Sequence, residues 1–281
     1  MKKIFYFTGI ALIIASCTEK IDIKLQPNYD RIVVDGSIST DTGRFMINLT
    51  HTADYFYNAP VPRVTNATVT LSNGDTTVSL VETIPGTSGI YTTDPSFHGT
   101  VGKNYTLDVQ LPQPIGGYSF YSATSPIMSV TKLDSTHVIF NPDRGKKGFW
   151  EVQVFAQEPG NEVNYYMFTL YRNGILWSDS INKLLVSTDK FINGSYINGL
   201  RVFYINNDHP WETLYPGDKI TLQMSGITKE YYDYVNEVRS AGFNIPFFMG
   251  PPANVTSNVN HGGVGFFVAY SNSYASTIVN P

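Results

Sequence analysis

The chain has 281 residues, 42% of them hydrophobic and only 15% charged, which leaves no room for a disordered, highly charged protein. Its net charge of −4 and pI near 5.7 supply no basic field for nucleic acid. Aromatic residues reach 14%, with 19 Tyr and 17 Phe, a composition that favours strands.

The N-terminal stretch opens on Lys2 and Lys3 and runs apolar from Ile4 to Ile14. A basic start, a short apolar middle and small residues before a cut make a secretory signal, and the run is too short to read as a membrane span. Ile14-Ala15-Ser16-Cys17 closes it and resembles the lipobox of bacterial lipoproteins. In that class the signal is removed before the cysteine, which receives a diacylglycerol thioether and an acylated amine. Cys17 is the only cysteine, so an internal disulfide is impossible and lipidation is the expected fate. One acyl chain holds a protein marginally and several hold it well. Residues 1–16 are thus expected as signal and 17–30 as a lipidated tether, within which Ile21, Ile23 and Leu25 alternate with polar residues. Surface-exported lipoproteins of Bacteroidota tend to carry an acidic run after the cysteine; here only Glu19 fits, followed by Lys20. Both the cell surface and a periplasm-facing orientation stay open.

Residues 31–130 read as short strands joined by turns. Ile32–Ile38 is a strand with Asp35-Gly36 as a bulge or turn signal, and Phe45–Leu49 alternates cleanly. Thr68–Leu71 leads through Asn73-Gly74, a hairpin signal, into Val78–Val81. Tyr105–Val109 and Tyr118–Ala123 complete the set. The stretch from Gly89-Ile90-Tyr91 to Leu107 resembles immunoglobulin-like and carboxypeptidase-regulatory-like sandwiches, modules that hold or present.

Residues 131–281 form the second expected domain, with longer, more aromatic strands. These are Phe149–Phe155, Tyr165–Tyr171, Leu200–Ile205, Lys219–Met224 and Val264–Tyr270, with Asn173-Gly174 turning into Ile175–Trp177. One amphipathic helix is expected near 228–241: Thr228 caps it, Glu230 suits its first turn, Arg239 its last, and Gly242 its stop. The predicted fold class is all-β, two antiparallel β-sandwich-like domains, the second with one helix.

Several segments together resemble an uncharacterised family of Bacteroidota outer-membrane lipoproteins known only as a domain of unknown function. They are Ile32–Ile38, Val64 with Ala67-Thr68-Val69, Asn164-Tyr165-Tyr166, Ser225 through Tyr234, and Pro251–Asn260 closing on Gly263–Phe267. Members are often encoded beside TonB-dependent transporters. The resemblance implies an accessory role in uptake and brings no catalytic residues with it.

The residues themselves offer little chemistry. His51, His98, His137, His209 and His261 are scattered without metal spacing, so no metal or other cofactor is expected. No GxSxG elbow or acidic EF-hand loop occurs. Asp208, His209, Glu212 and Asp218 form a titratable cluster that would suit acid–base work in a cleft; Pro210 and Pro216-Gly217 equally fit a solvated loop. Asp75-Thr76-Thr77, Asp134-Ser135-Thr136 and Asp179-Ser180-Ile181 resemble O-glycosylation acceptors of Bacteroidota and also fit plain turn chemistry. Two aromatic clusters are candidate contacts for a ligand or partner: Tyr55-Phe56-Tyr57, in a proline-bounded loop, and Phe247-Phe248-Met249, in the apolar stretch after the helix. Either cluster could instead complete a core. The expected role is a non-enzymatic binding or accessory lipoprotein of the outer membrane, working beside a TonB-dependent transporter. A structural or adhesive surface protein and an enzyme acting on glycans or peptides are the alternatives.

Overall fold

The structure, a computed structural model, describes residues 30–53, 60–160, 162–210, 212–242 and 255–280. It is all-β, with two sheets and a single helix among the described residues. The first half contains β1 (Ile32–Ser39), β2 (Met46–His51), β3 (Thr68–Ser72), β4 (Thr77–Glu82), β5 (Ile90–Thr92), β6 (Asn104–Ile115) and β7 (Tyr118–Pro126). The second half contains β8 (Leu133–Asn141), β9 (Phe149–Gln157), β10 (Tyr165–Arg172), β11 (Ile175–Leu176), β12 (Leu185–Thr188), β13 (Tyr196–Asn206), β14 (Lys219–Ile227), α1 (Lys229–Gly242) and β15 (Val264–Ile278).

One continuous ladder runs in the order β11-β10-β14-β15-β1-β2-β5-β4-β3-β6-β7, with β12 also on β10. Its β1-to-β7 portion folds back on itself around a core that includes Ile32, Val34, Ile47, Leu49, Leu107, Tyr121 and Phe267. Alternation drives this: in β1 the residues Ile32, Val34 and Ile38 are buried, and each fully buried aliphatic chain contributes about 1.5–3 kcal/mol. The second core lies between the β10-β14-β15 end of the ladder and a three-stranded sheet, β13-β9-β8. Val152, Val154, Leu170, Ile205, Ile220 and Leu222 fill it. Helix α1 covers the opposite face of the ladder through Val235, which packs with Met167 and Ile227.

Two signals read in the sequence appear as expected. Asn173 and Gly174 take φ of 52° and 80°, the paired left-handed conformation of a tight hairpin. The Thr228 hydroxyl accepts the Tyr231 N–H at 3.2 Å, capping α1.

The last strand departs from its reading. Alternation predicts Val264–Tyr270, whereas β15 continues to Ile278 and serves both halves. Val264 to Tyr270 pair in parallel with Val33 to Ser39 of β1, and Ser271 to Ile278 pair antiparallel with β14. Phe267 and Ala269 therefore sit in the first core, and Ala275 packs against the second. Strands β5, β8 and β12 are also found where no strand is read from the sequence. The close approach of β1 and β15 requires glycine. Gly265 has φ of 89°, and a Cβ there would collide with the Val34 carbonyl.

Candidate functional site

Where β15 passes from one half to the other, α1 and the β11–β12 connection roof a cleft of about 470 Å³. Its floor is β1 and β15, and its lining includes Asp35, Ser37, Asp179, Tyr231, Tyr234 and Phe266. Strand alternation explains the floor. Val34 and Phe267 point into the first core, so Asp35 and Phe266 face the other way, toward the helix. Helical spacing explains the roof: Tyr231 and Tyr234 lie three residues apart on the face that meets the strands.

The rings form one aromatic wall. Tyr231 and Tyr234 stack with centroids 5.9 Å apart, and Phe266 lies 5.3 and 5.0 Å from them. Asp35 is exposed on the floor of the cleft, and partial burial against the cleft walls pushes its carboxyl above the ordinary range. Burial likewise raises the Tyr231 and Tyr234 hydroxyls, and the Asp35 charge adds to the effect in both. Burial lowers the Arg239 guanidinium, whose Nε donates to the Ile181 carbonyl at 3.0 Å and ties α1 to the cleft's outer rim. The cleft thus offers flat aromatic faces beside one solvent-accessible carboxylate, an arrangement suited to holding a ligand.

Three segments distant in the chain meet there: Ile32–Ile38, the Tyr231–Tyr234 turn of α1, and Gly263–Phe267. The segment just before β15 is held by a side chain acting as backbone. Asn258 Nδ2 donates to Phe267 O at 2.7 Å, and Asn258 Oδ1 accepts the Phe267 N–H at 3.0 Å. The aromatic character of 231–234 is legible as a helix face, but nothing local indicates that Asp35 and Phe266 are its counterparts.

The contact residues proposed from sequence, Tyr55, Phe56, Tyr57, Phe247, Phe248 and Met249, lie outside the described residues, as does Cys17. The titratable cluster is divided among separate tasks. Asp218 accepts from Arg172 at 2.6 Å, from Asn173 at 2.7 Å and from the Tyr215 N–H at 2.8 Å, so it fixes the β10–β11 turn. Its carboxyl is pushed up by burial, but these bonds and the Arg172 charge outweigh that and leave it lowered. Asp208 Oδ2 accepts the Lys146 N–H at 3.2 Å, and His209 lies 3.6 Å from Glu212. Among the described residues there is no group of three or more His, Cys, Asp and Glu side chains placed to hold a metal. His261 instead stacks on Tyr118 at 4.4 Å, and His51 pairs with Asp30 at 2.9 Å. Of the acceptor-like triplets, Asp75 pairs with Lys103 at 2.6 Å and Asp179 with Lys183 at 3.0 Å. The Thr76 N–H and hydroxyl both donate to Asn73 Oδ1, the local turn chemistry expected of such residues.

A search of curated proteins finds no match. The family model described as "Domain of unknown function (DUF4249)" matches residues 18–275. That span takes in both sandwiches, the helix and every wall of the cleft, and the chain belongs to the DUF4249 family.

Proposed function

We propose that this chain is a lipid-anchored outer-membrane protein of Bacteroidota that acts as a binding or accessory component of a TonB-dependent uptake system. Cys17 carries the anchor, and the cleft at the junction of the sandwiches takes the ligand. The observation behind the binding reading is the meeting of Asp35, Tyr231, Tyr234 and Phe266 in one cleft, built from three segments far apart in the chain. Ring faces provide stacking surfaces and Asp35 provides an acceptor, a combination that suits a polyhydroxylated ligand. The lipobox at Ile14–Cys17 supports the anchor, and the family match begins one residue beyond it. Tethering raises the effective concentration of one membrane partner over the other, so a modest contact with a transporter suffices.

Affinity purification from native membranes tests the assignment. Tagged wild type should recover a TonB-dependent transporter component, and Cys17→Ala should leave the outer-membrane fraction and lose it. Mass spectrometry should find acylated Cys17 at the mature terminus. Recovery of no transporter component removes the uptake assignment; an unmodified Cys17 removes the anchor.

A further inference from the structure

At one end of the second sandwich lies a group of acids for which the described residues supply no ion-pairing cation. Glu158 follows β9 directly and is 1% exposed; Asp189 follows β12 directly and is 0% exposed. The Tyr166 hydroxyl, on β10, donates to the Glu158 carboxylate, 2.8 and 2.9 Å from its two oxygens. Among the described residues no donor reaches either carboxylate oxygen of Asp189, which has the Glu158 carboxyl as its side-chain neighbour, and Asn164 Oδ1 is buried without a donor as well.

Register brings these residues side by side. Tyr166 pairs with Ser187 across β10 and β12, and the Asp189 N–H donates to the Asn164 carbonyl at 3.2 Å. Residues 164, 166, 187 and 189 therefore project from one face, the one whose Tyr166 packs into the core between the sheets. Glu158 arrives from the opposing sheet and meets Asp189 side chain to side chain. The turn that carries Asp189 is closed by the Ile192 N–H on the Asp189 carbonyl at 2.6 Å and by the Ser195 N–H on the Ile192 carbonyl at 2.9 Å.

Charge is unbalanced here. Glu158 and Asp189 face each other carboxyl to carboxyl, within hydrogen-bond reach, in a buried setting. Glu162 brings a third carboxylate within electrostatic range of Tyr166. Among the described residues no Lys, Arg or His forms an ion pair with Glu158, Glu162 or Asp189. Buried carboxylates are normally paired or bound to a metal.

We propose that Glu158, Asp189 and Asn164 Oδ1 form a binding site for a calcium ion. A single proton shared by the two carboxyls would satisfy one Asp189 oxygen and leave the other, with Asn164 Oδ1, still without a partner. A dication satisfies all three and neutralises both charges. Ca²⁺ accepts about six to eight oxygens and mixes carboxylate, amide and water ligands, so two carboxylates with neutral oxygens suit it. The all-oxygen set fits a hard ion better than Zn²⁺, and an irregular set of oxygens suits Ca²⁺ better than the strict octahedron Mg²⁺ demands.

Chelator-treated mature protein should be melted with and without millimolar Ca²⁺ and titrated with Tb³⁺, whose emission tyrosine sensitises. The site predicts a Tm rise of about 5–10 °C at a Ca²⁺ excess of about 100 Kd. It also predicts tyrosine-sensitised Tb³⁺ emission that Ca²⁺ displaces. Asp189→Asn should lose both responses. The wild-type titrations decide alone if that variant does not fold: no Tm shift together with no Tb³⁺ emission overturns the site. An equal shift with Mg²⁺ overturns the assignment to calcium, and a full response in a folded Asp189→Asn variant places the ion elsewhere.

Discussion

In the first sandwich the large polar groups that enter the core are tyrosine hydroxyls, each met by backbone: Tyr91 donates to the Val64 carbonyl at 3.0 Å, Tyr121 donates to the Ile115 carbonyl, and Tyr105 accepts the Thr100 N–H at 3.0 Å. In the second sandwich the buried polar groups include carboxylates. Glu151, Glu158 and Asp189 are buried there, and among the described residues the first sandwich buries no Asp or Glu. Glu151 is answered by Arg201, Arg144 at 3.7 Å and Asn141 at 3.0 Å, whereas among the described residues Glu158 and Asp189 have the Tyr166 hydroxyl, each other and no cation. A neutral hydroxyl can be satisfied by the fold's own backbone. A buried carboxylate needs a counter-charge, so a half that carries several is tied to what it binds. β15 couples the two, because the same strand completes both cores.

Breaking the shared strand tests that coupling most severely. Phe267→Ala should destabilise the protein by about 3–5 kcal/mol, the loss typical of a fully buried aromatic. Trp150 and Trp177 both pack against the second core, so tryptophan fluorescence in urea reports on that half. The mutation is in the first core, yet its fluorescence midpoint should fall. An unchanged midpoint would separate the sandwiches energetically.

The charged half can be probed next at Arg201. Arg201→Ala leaves Glu151 buried with a more distant guanidinium and should cost about 1–3 kcal/mol by urea denaturation. Burial alone would raise the Glu151 carboxyl, but the Asn141 and Arg201 bonds and the Arg201 and Arg144 charges outweigh it and hold it below the ordinary value of 4.5. A depressed carboxyl contributes stability that is complete above its unfolded value and is lost as pH falls through its folded one. Wild type should therefore lose this contribution only below about pH 4.5. In Arg201→Ala the loss should begin at higher pH, and identical acid profiles would show that Arg201 contributes nothing.

The neutral half supplies the matched experiment. Tyr91→Phe removes the donor to Val64 O and the acceptor of the Ala67 N–H, 2.9 Å from the hydroxyl. Its expected cost is about 1–2 kcal/mol, with no change in the acid limb of the stability profile. An altered acid limb would show that the Tyr91 hydroxyl is coupled to a titrating carboxylate such as Glu82. The smallest effect belongs to the helix over the cleft. Thr228→Ala should cost about 1 kcal/mol through the lost cap. Hydrogen exchange should rise in the first turn of α1 and stay constant in β13, on the far side of the second core.

Local signals carry much of the architecture. Asn173-Gly174 dictates a tight turn because both residues accept positive φ, and the 229–242 helix is bounded by a capping hydroxyl and a glycine. The strands that escape sequence reading lack a local reason to exist. β12 is four residues long, and β8 exposes Ile139 and Phe140, so its apolar residues do not keep to one face. The extension of β15 through Ser-Asn-Ser-Tyr-Ala-Ser-Thr-Ile is similar, since its ladder with β14 rather than hydrophobic alternation makes it a strand.

The sequence by itself determined an all-β chain of two sheet-based parts, its hairpin turns and its single capped helix, because alternation, turn conformation and capping act between residues a few positions apart. Only tertiary structure decided that one strand would serve both cores, that Asp35 would face Tyr231 and Phe266, and that Glu158 would meet Asp189. Those placements depend on sheet register and on the packing of one layer against another. A side chain's charge is written in the chain, but whether it finds water, a partner or another charge depends on residues far along it.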